Sequence, residues 1–141
     1  MSQEKLSLKG LNFQATKIEE NKNILTITLN RPEKKNALNN VMVNEICYAL
    51  AYAKQERSVR VIIIAAEGDI FCAGADLRRE ESESNVPKIE GADDISLMLR
   101  HLYKPVICKI QGSVLAGALL MVTNSTPVSY THLTLPTTGS V

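Results

Sequence analysis

A run of β-branched residues in the middle of the chain, residues 59–65, limits the possible folds more than any other feature. It reads Val-Arg-Val-Ile-Ile-Ile-Ala, with apolar residues at neighbouring positions instead of every second one. Such a strand needs cover on both faces, which is typical of a central strand in a parallel sheet. Because parallel strands are joined by crossover helices, the run predicts an α/β architecture.

The residues before this run predict a hairpin followed by a helix. Two strands, residues 13–20 and 24–29, are expected around the Asn-rich turn at residues 21–23. Residues 1–12 form a polar lead-in. A helix is predicted over residues 40–56, capped by Asn39 or Asn40. Its apolar positions recur at 3.6-residue spacing: Leu38, Val41, Met42, Ile46, Ala49, Leu50 and Ala53.

The residues after the run continue the alternation of helix and strand. Asp93 or Asp94 is suited to cap a second helix, which Lys104-Pro105 would stop. Residues 106–110 read as another buried strand, and residues 112–122 as a turn that feeds a buried helix. The pattern predicts right-handed crossovers and a mostly parallel sheet.

Composition excludes several functional classes. The 141 residues carry 16 Lys plus Arg and 15 Asp plus Glu, a net charge of +1 that gives no electrostatic reason to expect nucleic acid or an anionic membrane as partner. No apolar run is long enough for a membrane span, and the N-terminus lacks a secretory signal. The three cysteines are widely spaced without a CxxC pair, so we expect no disulfide, no metal site and a cytoplasmic location.

The C-terminal segment is compositionally unlike the rest of the chain. No Lys, Arg, Asp or Glu follows Lys109, and the end is rich in Thr, Ser and Pro. Residues 126–141 resemble translated cloning sequence, a natural alternative C-terminus being the other interpretation. We therefore expect one partial domain over residues 13–125 and a non-native, disordered tail in which His132 has no role.

Common catalytic motifs are absent from the sequence. No G-x-S-x-G, GxxxxGK[ST] or HExxH pattern occurs. His101 is expected to have a structural role near the end of the second helix. Cys72 lacks a nearby histidine, so a small buried residue is a better interpretation than a nucleophile.

Two turns of small residues remain as candidates for chemistry. Residues 68–77 and 111–118 each follow an expected strand and lead into an expected helix. Such turns leave backbone N–H groups uncovered, and two of them aimed at one oxygen would form an oxyanion hole. Small residues at strand–helix turns also serve as packing devices, so the residues alone leave both interpretations open.

Several short motifs, in order, carry a resemblance to a known family. They are Leu29-Asn30-Arg31-Pro32, Lys35-Asn36-Ala37-Leu38, Val59-Arg60-Val61-Ile62-Ile63-Ile64, Phe71-Cys72-Ala73-Gly74-Ala75-Asp76-Leu77, Lys104-Pro105-Val106-Ile107 and Gly112-x4-Gly117. Together they resemble the crotonase superfamily, the enoyl-CoA hydratase/isomerase family, from about residue 13 to residue 122. The resemblance implies a crotonase-like α/β fold of repeated ββα units, truncated here to its N-terminal half.

The same resemblance implies a lyase or isomerase of fatty acid metabolism that stabilises a thioester enolate. By position it assigns the two oxyanion-hole N–H groups to Ala75 and Gly117. It also implies a substrate pocket lined by Lys35, Ala37, Ala73, Gly74, Asp76, Leu77, Leu115 and Ala116. The substrate would be an acyl-CoA, with no cofactor beyond the coenzyme A that it carries, and the parent protein would be a homotrimer or hexamer.

Two departures from the family pattern leave alternatives open. Leu120 occupies the position of an acid/base glutamate in the hydratases, and Ala116 and Ala118 replace glycines. The reaction is therefore open between hydration, isomerisation, decarboxylation and other enolate chemistry, and a non-catalytic acyl-CoA-binding or scaffold protein is the alternative. Family members are about twice as long, so the chain itself is expected to be an inactive fragment of an active parent.

Overall fold

The computed structural model describes residues 5–76, 83–92, 94–115, 121, 124 and 129–130. Its elements form two strand–strand–helix units, which are followed by three further strands. In chain order they are β1 (Thr16–Asn21), β2 (Ile24–Leu29), α1 (Asn40–Gln55), β3 (Val61–Ala66), β4 (Ile70–Cys72), α2 (Ile95–Arg100), β5 (Val106–Ile110), β6 (Ser113–Val114) and β7 (Ser129–Tyr130). This order confirms the expected ββα repeat.

The main sheet has the strand order β1-β2-β3-β5-β7. Only β1 and β2 are antiparallel, whereas β2–β3, β3–β5 and β5–β7 are parallel. The apolar run expected to be central is central, since β3 pairs with a strand on each side, but cover on both faces is incomplete because Val61, Ile63 and Ala65 are only partly buried. A second sheet of two parallel strands, β4 and β6, stands apart from the first.

The N-terminal hairpin closes through a two-residue turn. Lys22 and Asn23 have φ values of 50° and 69°, the left-handed conformation that type I′ turns require at both central positions. Asn is one of the few residues that adopts it readily. The first strand begins at Thr16 instead of Phe13, because pairing starts only where Thr16 faces Leu29.

Helix α1 is fixed at both ends by side chains. The Asn39 side chain accepts a hydrogen bond of 2.9 Å from the N–H of Met42, which confirms it as the N-cap. At the other end, Nζ of Lys104 donates to the carbonyl oxygens of Ala53 and Glu56. A cation at this end also complements the helix dipole.

The core lies between α1 and the sheet. Alternate residues of β2 and β3 turn inward to meet the apolar face of α1, and two residues of β4 belong to the same buried cluster. The fully buried members include Leu25, Ile27, Leu29, Met42, Ile46, Leu50, Ile62, Ile64, Phe71 and Cys72. Across the described ranges, no helix combines the length and apolarity that membrane crossing requires.

Glu45 is an exception within this core. It lies three residues after Met42 on the apolar face of α1 and is 0% exposed. Its carboxylate accepts hydrogen bonds from the N–H groups of Gln14 and Ala15, at 2.8 and 2.9 Å, and from the hydroxyl of Thr16 at 2.8 Å. The buried charge therefore fixes the segment that leads into β1 to the middle of α1.

The C-terminal part differs from expectation in two places. Residues 113–114 form the short strand β6 before the chain leaves the described range, where only a turn was expected. Ser129–Tyr130 pairs in parallel with Lys109 and Ile110, although no regular structure was expected over residues 126–141. In the described residues this pair forms the edge of the main sheet, and an extended segment of any origin can pair with the edge of a sheet. His132 lies outside the described residues.

Candidate functional site

The turn after β2 is held by one buried amide side chain. Asn36 is 0% exposed and has a left-handed φ of 54°. Its Oδ1 accepts from the N–H of Arg31 at 2.8 Å, and its Nδ2 donates to the carbonyl oxygens of Glu67 and Ile70 at 2.8 and 2.9 Å. The amide thus connects this turn to the loop between β3 and β4.

The next residues of the turn pair with the segment after β4. The N–H of Leu38 donates to the carbonyl oxygen of Gly74 at 2.8 Å, and the N–H of Asp76 donates to the carbonyl oxygen of Leu38 at 2.9 Å. This is a parallel bridge between Leu38 and Ala75. In such a bridge the flanking residues supply both hydrogen bonds, so the N–H and carbonyl of Ala75 face the other way.

The orientation of the Ala75 N–H follows from peptide geometry. The carbonyl of Gly74 and the N–H of Ala75 belong to one planar trans peptide and therefore point in opposite directions. Because Leu38 binds that carbonyl, the Ala75 N–H is directed away from the turn. Ala75 is exposed, and its N–H has no acceptor among the described residues. Gly74 allows this arrangement through its φ of 92°.

The second small-residue turn lies beside the first. Strand β6 runs parallel to β4, with Ser113 opposite Ile70 and Val114 opposite Cys72. The N–H of Leu115 then donates to the carbonyl oxygen of Cys72 at 3.0 Å. The chain is therefore adjacent to residues 72–75 where it leaves the described range. Gly117, the expected second donor, lies outside the described residues, as do Ala116, Leu77 and Leu120.

Gly112 permits this close approach of the two turns. A Cβ atom at this position would lie 1.9 Å from the carbonyl oxygen of Asp69, which is backbone and has little room to move. We expect Gly112→Ala to lower the free energy of unfolding by about 2–3 kcal/mol, measured by chemical denaturation. Glu19→Ala, at an exposed position of β1, is the control and should change the free energy of unfolding by less than about 0.5 kcal/mol. Equal losses in the two variants would contradict the steric explanation.

A buried ion pair joins the turn after β2 to the segment after β4. Nη2 of Arg31 lies 3.4 Å from Oδ2 of Asp76, and the two side chains are only 9% and 5% exposed. Nη1 of Arg31 also donates to the carbonyl oxygen of Ala37. The carboxylate of Asp76 therefore faces the protein interior, and only the backbone of this residue borders the surface of the turn.

The other expected pocket residues surround this turn. The N–H of Ala73 donates to the carbonyl oxygen of Lys35 at 3.0 Å, which places the two side by side. Lys35 is exposed, and Ala37, Ala73 and Leu115 are partly exposed. The structure thus brings together all of the expected site residues that it describes: Lys35, Ala37, Ala73, Gly74, Ala75, Asp76 and Leu115.

Cys72 is part of the packing beneath the site. It is 0% exposed, and its Sγ donates to the carbonyl oxygen of Asn36 at 3.1 Å. Burial raises the pKa of this thiol, and a backbone hydrogen bond at Gly74 lowers that pKa by less. A raised pKa leaves less of the reactive thiolate near neutral pH. The expectation of a small buried residue is confirmed.

All three cysteines are buried and none forms a disulfide. We expect the native protein to show no rapid reaction with Ellman's reagent near pH 8, because the reagent needs an accessible thiolate. Denaturation in guanidinium should release three thiols per chain, and the denatured sample is its own control. A thiol that reacts equally fast in the folded and denatured protein would contradict the described packing.

His101 lies away from the two turns. The exposed ring of His101 lies against Tyr103, with ring centroids 6.2 Å apart, just after α2. Within the described ranges, no group of three or more His, Cys, Asp or Glu side chains is arranged to hold a metal ion.

Two of the cavities lined by described residues border α1, and neither of these is lined by residues 35–38 or 73–76. One of about 570 Å³ lies between α1 and α2. The larger, about 680 Å³, lies between the first turns of α1 and residues 83–92. It includes Asn40, two residues after Leu38, so it is next to the site along the chain. Its volume is typical of small-molecule pockets.

Arg31 and Asn36 were not predicted as site residues from the sequence, although both belong to the motifs that resemble the family. A signal existed for each. Asn36 sits in a turn and is a residue type that tolerates the left-handed conformation. Arg31 lies two residues after the end of β2, where a charge is buried or exposed according to what packs on it. The partner of Arg31 is 45 residues away, which no local pattern reveals.

Comparison with known proteins identifies the family. Residues 19–125 match the model of the enoyl-CoA hydratase/isomerase family. The chain is 34% identical over 111 residues to "Probable enoyl-CoA hydratase echA12" of Mycobacterium bovis, covering 70% of this chain and 38% of that protein. It is 36% identical over 102 residues to trans-2-decenoyl-[acyl-carrier-protein] isomerase of Streptococcus mutans, covering 67% and 38%.

Solved structures agree with this match. The structure of a probable enoyl-CoA hydratase from Mycobacterium smegmatis superposes with a TM-score of 0.68 at 31% identity, over 82% of this chain and 48% of that one. The chain thus spans less than half the length of these relatives. The matched motifs, the ββα order and the paired turns agree with these comparisons. The chain therefore belongs to the enoyl-CoA hydratase/isomerase family, the crotonase superfamily.

Proposed function

We propose that the N–H of Ala75 is one of two backbone donors that stabilise the enolate of an acyl thioester. The hydrogen bond from Leu38 to the carbonyl of Gly74 is the observation that carries this proposal, because it orients the peptide that bears the Ala75 N–H. Gly117 is the proposed second donor. The adjacency of β4 and β6 supports the pairing, since both donors follow strands of the same small sheet.

The chemistry requires donors that are oriented before the reaction. When a proton leaves the carbon next to a thioester carbonyl, negative charge develops on the carbonyl oxygen. Fixed N–H groups about 2.7–3.1 Å from that oxygen stabilise the charge without having to reorganise. A turn fixed by Asn36 and by two backbone bonds at Leu38 has the necessary rigidity.

The proposed substrate is an acyl-CoA, and we propose no cofactor or metal beyond the coenzyme A that it carries. The turn at residues 35–37 and the small residues at 73–75 would line the thioester, with Lys35 exposed beside them. The cavity of about 680 Å³ beside Asn40 offers room for an acyl chain. Acid and base residues would come from outside this chain, in a parent that assembles as a trimer or hexamer.

Leu120 favours a second candidate, a non-catalytic acyl-CoA-binding or scaffold protein. Leucine has no group to transfer a proton, and it stands where family hydratases carry a glutamate. In that case the Ala75 N–H would bind the thioester oxygen without promoting a reaction.

Turnover and binding assays separate the candidates. Residues 1–141, and a full-length protein that contains them, would each be mixed with crotonyl-CoA and with a 3-enoyl-CoA. Hydration or isomerisation by the full-length protein supports the enzyme, and saturable binding without turnover supports the alternative. Activity of residues 1–141 alone would contradict the expectation that this chain is an inactive fragment. Absence of both binding and turnover in the full-length protein would overturn both candidates.

A further inference from the structure

The buried ion pair between Arg31 and Asp76 has no direct part in the proposed stabilisation of the thioester enolate. Arg31 and Asp76 are largely buried, and a buried charge is costly unless it is paired and hydrogen-bonded. Replacing such pairs with apolar residues is often neutral for stability, so stability alone is a weak reason to have one. What the pair supplies here is a defined geometry between two segments.

The pair closes a ring of contacts next to the proposed donor, through Asp76. Arg31 donates to the carbonyl oxygen of Ala37, and the adjacent carbonyl, of Leu38, accepts from the N–H of Asp76. The carboxylate of Asp76 returns to Arg31, at 3.4 Å from Nη2 and 3.5 Å from Nη1. Asp76 is thus held by both its backbone and its side chain, one residue after Ala75.

We propose that Arg31 is a positioning residue for the Ala75 N–H, acting through Asp76 and Ala37. This inference rests on the proposed function of Ala75. A guanidinium is a planar fork whose donors have fixed relative directions, so it can hold a carboxylate and a carbonyl at a set separation. A lysine ammonium carries the same charge but lacks the fork. Arg31 touches no substrate in this scheme and takes no part in proton transfer.

The first test is hydrogen exchange on residues 1–141, which does not depend on any activity. We expect Arg31→Lys and Asp76→Asn to accelerate exchange of the Leu38 and Asp76 amides by about 10-fold, because these amides form the bridge to Ala75. The amide of Ile46 in α1 should be unaffected. Lys17→Gln is the control, since it removes an ion pair to Glu67 that is about half exposed, at 53% and 47%.

The second test is kinetic and uses the active full-length protein. Arg31→Lys should lower kcat on the order of 10²-fold, the typical cost of a small misplacement, while KM for the enoyl-CoA stays nearly constant. Asp76→Asn should lower kcat by a similar factor. The double variant should lower kcat no further than either single variant, since both substitutions break the same ion pair. Lys17→Gln should leave kcat unchanged. If one variant does not fold, the other carries the test.

The outcomes distinguish this inference from the proposed function. Unchanged amide exchange at Leu38 and Asp76, unchanged kcat or additive losses in the double variant would each overturn the positioning role. If the parent protein neither binds nor converts enoyl-CoA, the proposed function fails. Accelerated exchange in that case would still support the geometric part of the inference, that Arg31 holds the Ala75 peptide.

Discussion

Replacement of Glu45 by alanine is expected to lower the free energy of unfolding by about 3–5 kcal/mol. Three donors would lose their acceptor: those of Ala15 and Thr16 are buried, and that of Gln14 is partly buried. Leaving one buried polar group unsatisfied typically costs about 1–3 kcal/mol, and the void left by the side chain adds to that cost. The measurement is equilibrium unfolding in urea, with the slope compared between variants.

Two further variants make the Glu45 prediction specific. Thr16→Val removes one of the three bonds at similar volume, and we expect it to cost about 1–2 kcal/mol. This variant also decides the prediction if Glu45→Ala does not fold. Glu19→Ala, at an exposed position of β1, is the control and should stay within about 0.5 kcal/mol of the parent. A loss below about 1 kcal/mol in Glu45→Ala would mean that the three bonds contribute little.

Replacement of Ala75 by proline has the largest expected effect on activity. Proline has no N–H, so the variant would lose the proposed donor while keeping the carbonyl of Gly74 that binds Leu38. In the full-length protein we expect kcat for enoyl-CoA turnover to fall on the order of 10²–10³-fold, the usual cost of losing one oxyanion-hole donor.

The same variant should leave folding nearly intact. Within the described part of the chain, the Ala75 N–H donates to no acceptor, so proline breaks none of the described hydrogen bonds. Ala75→Ser is the matched variant, because it changes the side chain but keeps the N–H, and it should retain the bulk of the activity. Full activity of Ala75→Pro would remove Ala75 from the proposed mechanism. Equal losses in the serine and proline variants would point to the side chain instead.

Much of the main sheet was predictable because its information is local. The β-branched run of β3, the alternation in β2 and the 3.6-residue spacing in α1 each report burial within a few residues. Caps are equally local, which is why Asn39 and Asp94 were among the expected N-caps. The ends of elements were less accurate, since β1 begins only opposite Leu29, the last residue of β2, and α2 ends at Arg100, well before Lys104.

In the site, too, the features that depend on local sequence were predicted and those that depend on distant residues were not. The small residues of the two turns, and their resemblance to family motifs, marked Ala75 and its neighbours from the sequence. The interior charges were not predicted, because the environment of a charged residue depends on what packs against it. Glu45 carried one hint, its position three residues after Met42, yet its donors lie about 30 residues earlier in the chain.

The sequence by itself determined the class of fold, the family and the turns at which a site would form. Those properties follow from periodicity, from turn chemistry and from short motifs, all of which act over a few residues. Only the tertiary structure decided that Leu38 orients the Gly74–Ala75 peptide and that Arg31 meets Asp76. These contacts join segments 36 to 45 residues apart, and their geometry exists only once the sheet and α1 have brought the segments together.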